Sequence, residues 1–349
     1  MRFAINGFGR VGRTLLRVYA SREDARAKLT LAAINEIADA DTVVHLARYD
    51  SNYGRYPGAI ARAGSSLVID QRSVPLSHVA EVARLPWQQH QIDLVLECTG
   101  AFTDRITAEQ HLHAGASRVL FSQPAESDVD ETIVYGVNSD SLSAGMTVVS
   151  AASCTTNAVV PVLATLSHSV GIEAATITTI HSLMNDQPVL DAYHHTDLRK
   201  TRAASQSIIP VDTGLAVGIE RILPDLSGKL SAHALRVPTT KVSAIELTVA
   251  TDRICTSEDV NTALRTAAEG ALAGVLDFSL VPLASCDFVG EAASAIVDAK
   301  QTQVAAGRLV KILIWFDNEW AYASRMIDVA LAWQAKIASS HLTSRGDVP

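Results

Sequence analysis

A glycine motif near the N-terminus constrains the fold more than any other feature. Gly7, Gly9 and Gly12 match G-x-G-x-x-G, between the apolar run at 3–5 and the amphipathic stretch at 11–19. In a strand–turn–helix unit, these glycines allow a tight turn, close approach of a pyrophosphate and close helix–strand packing. The helix N-terminus adds free N–H groups and a positive dipole end. The motif therefore predicts a dinucleotide site; the alternative interpretation is an ordinary glycine turn.

A carboxylate follows the second predicted strand. Glu36 comes directly after residues 29–35, which are mostly apolar. A carboxylate at this place accepts hydrogen bonds from the ribose hydroxyls and repels a 2′-phosphate. The sequence therefore favours NAD over NADP as the cofactor, and a solvated loop acid is the alternative.

The pattern of apolar runs predicts two domains of different kinds. A chain of 349 residues is long enough for about two domains. Short apolar runs alternate with helical stretches in the first third of the chain, which is typical of βαβ units in a parallel sheet. Longer strand candidates at irregular spacing follow from residue 175, which suits a mixed or antiparallel sheet.

Composition narrows the function classes. The net charge of −8 argues against a nucleic-acid partner, and no apolar run reaches the roughly 18–20 residues of a membrane span. We find no signal-peptide pattern, so we expect a cytoplasmic protein that contacts neither nucleic acid nor membrane. His194, His195 and Asp197 are the best metal-ligand candidates, but no second cluster accompanies them. We therefore interpret them as a solvated loop and predict no metal.

Cys154 is the strongest candidate nucleophile. It lies in the segment SCTTN, immediately before a helix-like stretch at 156–169. A cysteine at a helix N-terminus has a lowered pKa and a larger thiolate fraction. His181 ends the strand candidate 175–180, and a cysteine–histidine pair is a common arrangement for covalent catalysis. The alternative for Cys154 is a small buried apolar residue. We interpret three other cysteines as structural: Cys98, Cys255 and Cys286.

Seven sequence blocks carry a resemblance that covers nearly the whole chain. They are INGFGRVGR (5–13), ECTG (97–100), SCTTN (153–157), TTIH (178–181), IIP (208–210), RVP (236–238) and WFDNEW (315–320). In these blocks and their order the chain resembles the glyceraldehyde-3-phosphate dehydrogenase superfamily. Within it, the chain is most similar to the D-erythrose-4-phosphate dehydrogenases, at residues 85–87, 120–124 and 180–213.

The resemblance implies an α/β fold with an N-terminal Rossmann-type NAD-binding domain at 1–153. An α+β catalytic domain with a mixed or antiparallel sheet is implied at 154–316, and a C-terminal helix at about 317–337 is expected to pack back on the first domain. It also implies a homotetramer, with the segment 183–211 at subunit contacts. The implied reaction is NAD-dependent oxidation of erythrose 4-phosphate to 4-phosphoerythronate, with water as acyl acceptor, in vitamin B6 (pyridoxine) biosynthesis.

Two alternatives stay open at this stage. One is a phosphorylating glyceraldehyde-3-phosphate dehydrogenase, which shares the chemistry up to the thioester on Cys154. The other is a non-catalytic protein that binds or senses NAD, because a fold alone does not prove activity.

The resemblance assigns roles residue by residue. The implied catalytic residues are Cys154 and His181. The implied cofactor-binding residues are Gly7, Gly9, Arg10, Val11, Gly12, Glu36, Thr99, Ser122 and Asn318. The residues implied to bind a small phosphorylated aldehyde are Ser153, Thr155, Arg199, Lys200, Thr213, Gly214 and Arg236.

Three positions depart from the erythrose-phosphate pattern. Lys200 stands where a second adjacent arginine is common, which retains charge but loses bidentate phosphate geometry. Gly214 stands where some relatives have lysine. Ala80 lies near the place of an NAD-contacting arginine, for which Arg84 is a possible substitute.

A carboxylate also stands where the glyceraldehyde-phosphate enzymes usually carry phosphate-binding threonines. Met184 and Asp186 occupy those places. An aspartate about 4 Å from a phosphate costs on the order of 4 kcal/mol per charge pair at an effective dielectric near 20. Unless Asp186 points away or is paired, this favours water over phosphate as the acyl acceptor.

Overall fold

The computed structural model describes residues 1–194 and 197–346, with side chains described as far as residue 340, and contains two compact units. The first unit comprises residues 1–153 and the C-terminal segment from Ala323, and the second comprises Cys154–Tyr322. His195, one of the weighed metal ligands, lies outside the described residues. The α-helices are α1 (Arg10–Ser21), α2 (Glu23–Lys28), α3 (Ala40–Arg48), α4 (Arg105–His113), α5 (Cys154–Ser169), α6 (Leu215–Ile222), α7 (Ser257–Glu269) and α8 (Trp320–Gly346).

Alternating strands and helices build the first unit. Its strands are β1 (Arg2–Asn6), β2 (Thr30–Asn35), β3 (Tyr49–Asp50), β4 (Gly54–Arg55), β5 (Ile60–Ala63), β6 (Ser66–Ile69), β7 (Arg72–Ser77), β8 (Leu94–Glu97), β9 (Val119–Phe121), β10 (Glu131–Thr132) and β11 (Val148–Ser150). In the described part of the chain, nine of them form one sheet in the order β10-β11-β9-β8-β1-β2-β7-β6-β5. The sheet is parallel from β10 to β7 and antiparallel at β6 and β5.

The strand order reverses at β1, which lies between β2 and β8. Such a switch point opens a crevice at the carboxyl ends of the strands, where ligands bind in open α/β sheets. Strand β8 is buried throughout, and β1 and β2 are buried on both faces apart from their first residues, as the near-continuous apolar runs predict. The core of this unit therefore places the ends of three rigid strands around one crevice.

Helix α8 belongs to the first unit beyond Tyr322. The fully buried Trp333 donates its indole N–H to the carbonyl oxygen of Ser143 at 3.1 Å, and Asp328 forms an ion pair with Arg22 at 2.5 Å. The helix is longer than predicted, running from Trp320 to Gly346 rather than over about 317–337.

The second unit is built on a mixed sheet. Its strands are β12 (Ala174–His181), β13 (Ile209–Val211), β14 (Leu230–Arg236), β15 (Ser243–Ala250), β16 (Leu276–Ser279), β17 (Ala295–Asp298), β18 (Gln303–Ala305) and β19 (Leu309–Phe316). Their order is β13-β14-β12-β15-β19-β17-β16, with β18 on β19. The β14–β12 and β17–β16 pairs are parallel and the others antiparallel. The predicted fold class, an α/β domain followed by an α+β domain with a mixed sheet, is confirmed.

Within residues 1–194 and 197–346, the helices include none that is both long and apolar enough to span a bilayer. Within the same residues, no three histidine, cysteine or carboxylate side chains come together as ligands for a metal ion.

Candidate functional site

A cavity of about 320 Å³ lies at the carboxyl ends of β1, β2 and β8. The residues that line it include Gly7, Gly9, Asn35, Glu36, Ala80 and Thr99. Four predicted cofactor-binding residues therefore meet around one space. The other five do not line this cavity: Arg10, Val11, Gly12, Ser122 and Asn318.

The glycines fit a closely approaching ligand. Gly7 has a φ of +86°, and a Cβ built on it would lie 2.6 Å from the backbone nitrogen of Thr99. A Cβ on Gly12 would lie 2.3 Å from the Gly7 carbonyl oxygen. A Cβ on Gly9, by contrast, would meet nothing within 4 Å. Gly7 and Gly12 thus permit the turn itself, while the backbone at Gly9 stays open to an incoming phosphate.

Glu36 holds the glycine turn as well as lining the cavity. Its carboxylate accepts the backbone N–H of Phe8 at 2.7 Å and that of Ala38 at 3.2 Å. The Arg10 guanidinium forms an ion pair with Asp50, so this side chain supports α1 from the side. Arg84, the possible substitute for an arginine at Ala80, is exposed and lies 3.6 Å from the Glu81 carboxylate.

The candidate nucleophile and base meet at the ends of two elements of the second unit. Cys154 is the first residue of α5 and His181 is the last residue of β12, 27 positions later. The Cys154 Sγ lies 3.7 Å from His181 Nε2 and 3.9 Å from Thr155 Oγ1. Strand β14 runs parallel to β12 and ends at Arg236, whose Nη1 lies 2.6 Å from His181 Nδ1.

The structure also shows where Asp186 lies, the carboxylate that the sequence analysis expected to disfavour a phosphate. Asp186 Oδ2 accepts a hydrogen bond from Lys200 Nζ at 2.9 Å, so Asp186 is paired. The Lys200–Asp186 pair and Arg236 interact electrostatically, since Asp186 raises the pKa of Arg236 against the larger lowering by burial. Cys154, His181, Arg236 and the Lys200–Asp186 pair therefore form one cluster.

The remaining predicted substrate residues lie in separate segments. Arg199 is exposed, and its backbone N–H bonds to Asp197 at 2.8 Å. Thr213 Oγ1 accepts the backbone N–H of Leu215 at 3.2 Å, beside Gly214 at the N-terminus of α6. Ser153 is the last residue of the first unit before Cys154.

Family comparison matches both units. Residues 1–105 match the model described as "Glyceraldehyde 3-phosphate dehydrogenase, NAD binding domain", and residues 153–318 match "Glyceraldehyde 3-phosphate dehydrogenase, C-terminal domain". The chain belongs to the glyceraldehyde-3-phosphate dehydrogenase family. It is an oxidoreductase of that family whose cofactor is NAD, as predicted. The crevice with Gly7, Glu36 and Thr99 lies within the NAD-binding match.

In this dehydrogenase, burial corrects the prediction of an activated cysteine. Burial raises the pKa of the Cys154 thiol, despite its place at the N-terminus of α5. The Thr155 hydroxyl and the positive charges of Arg236 and Lys241 lower the pKa, but by less. The prediction of a lowered pKa was wrong for this state, because desolvation of the thiolate outweighs the favourable charges.

His181 is held in its neutral form. Burial, and next the charge of Arg236, lower its pKa to about 4, while the Ser182 carbonyl raises it. His181 Nδ1 lies 2.8 Å from that carbonyl and 2.6 Å from Arg236 Nη1. Because a guanidinium only donates, its contact requires an unprotonated Nδ1, whereas the carbonyl requires Nδ1–H. The two contacts therefore compete for one atom.

Asn318, predicted to bind the cofactor, is buried in the second unit. Its Oδ1 accepts a hydrogen bond from Ser182 Oγ at 3.0 Å, and Ser182 is the residue after the candidate base. Sequence reasoning did not single out Ser182, although its place directly after His181 was a usable signal.

A second group of residues that sequence reasoning missed supports the candidate cofactor crevice. Both Glu97 oxygens are saturated: Asn6 Nδ2 donates at 2.6 Å, His111 Nε2 at 3.0 Å and the Thr99 backbone N–H at 2.9 Å. Trp87 Nε1 donates to His111 Nδ1 at 2.9 Å, so the histidine proton is on Nε2. Asn6 and Thr99, which line the cavity, are thus fixed by a buried network. The signal for this network in the sequence was the ECTG block, which contains Glu97 and Thr99.

Proposed function

We propose that this dehydrogenase oxidises D-erythrose 4-phosphate to 4-phosphoerythronate through a covalent thioester on Cys154, with water as the acyl acceptor. The observation that carries the proposal is the 3.7 Å separation of Cys154 Sγ and His181 Nε2, beside Arg236. A thiol within reach of an imidazole is the arrangement that covalent acyl chemistry needs. Arg236 supplies a cation for the substrate phosphate.

In the proposed mechanism His181 moves the protons and Cys154 forms the bonds. Cys154 Sγ adds to the aldehyde carbon as its proton passes to His181 Nε2, which returns it to the new alkoxide to give a thiohemiacetal. His181 then removes the hydroxyl proton as the carbon loses hydride. NAD, when bound, supplies the hydride acceptor. His181 then releases the hydroxyl proton to solvent and takes a proton from a water that attacks the thioester. It returns that proton to the Cys154 sulfur as the C–S bond breaks, which releases the carboxylic acid and the Cys154 thiol.

This role for His181 requires a particular tautomer. Nε2 accepts a proton only if Nδ1–H faces the Ser182 carbonyl, which lies at 2.8 Å. Arg236 opposes that arrangement from 2.6 Å. A substrate phosphate that draws the guanidinium away from Nδ1 therefore raises the basicity of His181. In this scheme, binding of the substrate makes His181 Nε2 available as the base.

Asn318 is proposed to orient the nicotinamide carboxamide, and its fixed position supports this role. Its Oδ1 is engaged by Ser182, and no partner for its Nδ2 occurs in the described part of the chain. Glu36, Gly7, Gly9 and Thr99 would hold the remainder of NAD at the crevice.

The two candidate functions differ in the acyl acceptor, which is water in one and inorganic phosphate in the other. Lys200 is committed to Asp186, so Arg236 is left as the cation beside the cysteine–histidine pair. One cation suits one phosphate group, that of the substrate, and leaves water as the acceptor. The same ion pair also favours the alternative, a phosphorylating glyceraldehyde-3-phosphate dehydrogenase, because Lys200 neutralises the charge that would repel inorganic phosphate.

Oxidation of each aldehyde with and without inorganic phosphate separates the two candidates. We expect NADH formation from erythrose 4-phosphate without phosphate, and one ¹⁸O atom from labelled water in the carboxylate product. An absolute phosphate requirement together with preference for glyceraldehyde 3-phosphate would overturn the proposal. Cys154→Ala should remove activity, while the matched Cys286→Ala, at an exposed cysteine, should retain it. Retained activity in Cys154→Ala would overturn the nucleophile role of Cys154, whereas NAD binding without NADH formation from either aldehyde would favour the non-catalytic alternative.

The proposal includes a homotetramer in the cytoplasm that serves pyridoxine biosynthesis. Exposed apolar side chains support self-association: Val189, Tyr193 and Leu198 in the segment 183–211 are 76%, 89% and 83% exposed. Contiguous apolar exposure marks interaction surfaces. Sedimentation velocity tests the assembly, and a monomer at micromolar concentration would contradict it.

A further inference from the structure

A buried ion triad lies in the second unit, outside the residues assigned above. Lys241 Nζ is 3.3 Å from Asp317 Oδ1 and 2.8 Å from Glu319 Oε2. The three side chains are 3%, 0% and 15% exposed. Taking three charges out of water opposes folding, and apolar replacements of such groups are often no less stable. Buried ion groups of this kind are best attested where they specify one arrangement of the chain.

The triad fixes the turn that contains Asn318. Asp317 Oδ1 also accepts the backbone N–H groups of Glu319 and Trp320, both at 3.0 Å. Its Oδ2 accepts the N–H of Gly290 at 2.9 Å. Asn318 therefore stands between two carboxylate residues that share one ammonium group. Lys suits this position because its ammonium carries three donors on a long stem.

The side chain of Asn318 is held from the opposite direction. Ser182 Oγ donates to Asn318 Oδ1 at 3.0 Å, and Ser243 Oγ donates to Ser182 Oγ at 3.3 Å. Both serines are fully buried. The residues on either side of Asn318 are thus paired with Lys241, and its side-chain oxygen is bonded to Ser182, which sets the orientation of the amide nitrogen.

We propose that Lys241 is a positioning residue, which fixes Asn318 to receive the nicotinamide carboxamide of NAD. The inference rests on the role proposed for Asn318. An electrostatic observation agrees with it: the charge of Lys241 acts on both members of the catalytic pair. It favours the Cys154 thiolate against the larger effect of burial, and it adds to the lowering of the His181 pKa by burial and Arg236. The ammonium therefore acts on the same site that the nicotinamide must face.

Comparison of NAD with ADP-ribose, which lacks nicotinamide, tests this role without any turnover. Isothermal titration of Lys241→Met should show a dissociation constant for NAD raised about tenfold, and that for ADP-ribose changed by less than about twofold. Lys241→Arg, which keeps the charge, should recover most of the NAD affinity. The matched control is Lys311→Met, which breaks an exposed lysine–glutamate pair in the same sheet and should change neither constant.

The double variant Lys241→Met/Asp317→Asn keeps the test decisive if Lys241→Met alone does not fold. It leaves no unpaired carboxylate at residue 317 and keeps an oxygen for the Glu319 and Trp320 N–H groups, while the Gly290 N–H loses its acceptor. ADP-ribose binding reports a folded protein. Equal changes for NAD and ADP-ribose, or no change for NAD, in this variant overturn the proposal. Asn318→Ala completes the design. If Asn318→Ala loses affinity for NAD but not for ADP-ribose, and Lys241→Met does not, the inference about Lys241 is refuted while the role of Asn318 stands. If Asn318→Ala loses no affinity for NAD, the proposed role of Asn318 is refuted as well.

Discussion

The two buried polar clusters of this dehydrogenase differ in how completely their hydrogen bonds are satisfied. In the first unit, Trp87, His111 and Glu97 form a chain in which every donor meets one acceptor. In the second unit, the Arg236 guanidinium lies 2.6 Å from His181 Nδ1. The buried Nε of Arg236 has no hydrogen-bond partner in the described part of the chain. A satisfied network rigidifies, whereas an unsatisfied one stores unfavourable free energy that a ligand can release. The crevice of the first unit is thus held in one arrangement, whereas the cluster around His181 retains an unsatisfied donor on Arg236.

The largest expected effect comes from breaking the satisfied network. His111→Leu leaves the Glu97 carboxylate and the Trp87 N–H without their shared partner, and loss of one member of a buried pair costs about 3–5 kcal/mol. Urea unfolding should show a free energy of unfolding lower by that amount. His113→Leu, at an exposed position of the same helix, should stay within about 0.5 kcal/mol. Equal losses in both variants would contradict the contrast.

The next effect is an acid instability specific to the catalytic cluster. The pKa of His181 is lowered from 6.5 to about 4 in the folded chain, so between these pH values the unfolded state binds the extra proton. Stability should therefore fall as pH falls through this window, by up to roughly 3 kcal/mol. Urea unfolding from pH 7 to pH 4 should show a shallower pH dependence in His181→Asn. The exposed His168→Asn serves as the control, and an unchanged slope in His181→Asn would rule out the depressed pKa.

Arg236→Leu should separate stability from activity. Because the guanidinium is buried and incompletely bonded, its removal should change the free energy of unfolding by less than about 1 kcal/mol. Loss of a charged hydrogen bond to the substrate phosphate, at about 1.5–3 kcal/mol, should lower kcat/KM by roughly 10- to 100-fold. An unphosphorylated aldehyde should be affected less. A loss of stability as large as that of His111→Leu would show that both clusters are structural.

The smallest effect is expected at the crevice rim. The Phe8 and Ala38 N–H groups bond to different oxygens of Glu36, so Glu36→Gln removes the charge and keeps an acceptor for one of the two. The dissociation constant of NAD should rise about fivefold, for a loss near 1 kcal/mol, and discrimination against NADP should decrease. Titration of both dinucleotides measures this, with exposed Glu23→Gln as the control. Undiminished discrimination would remove Glu36 as the selectivity residue.

Local patterns in the sequence predicted the strands, helices and sheets well, but they predicted the protonation behaviour of the candidate site only partly. The G-x-G-x-x-G turn, the parallel sheet and the mixed second sheet follow from short-range periodicity and glycine placement. Cys154 and His181 were both identified, and the structure places them in contact. The direction of the Cys154 pKa was missed, because helix position is visible in a sequence whereas desolvation depends on everything packed around the thiol.

The sequence by itself determined the family, the NAD cofactor and the candidate site residues, since each depends on residue types at short spacings. Only the tertiary structure decided which distant charges meet: Lys200 with Asp186 across 14 positions, Arg236 with His181 across 55, and Lys241 with Asp317 across 76. Charge pairing sets pKa values and acceptor preference through separations of a few ångströms. For Arg236 and His181, which are paired in β14 and β12, strand register fixes that separation, and register is a property of the folded sheet.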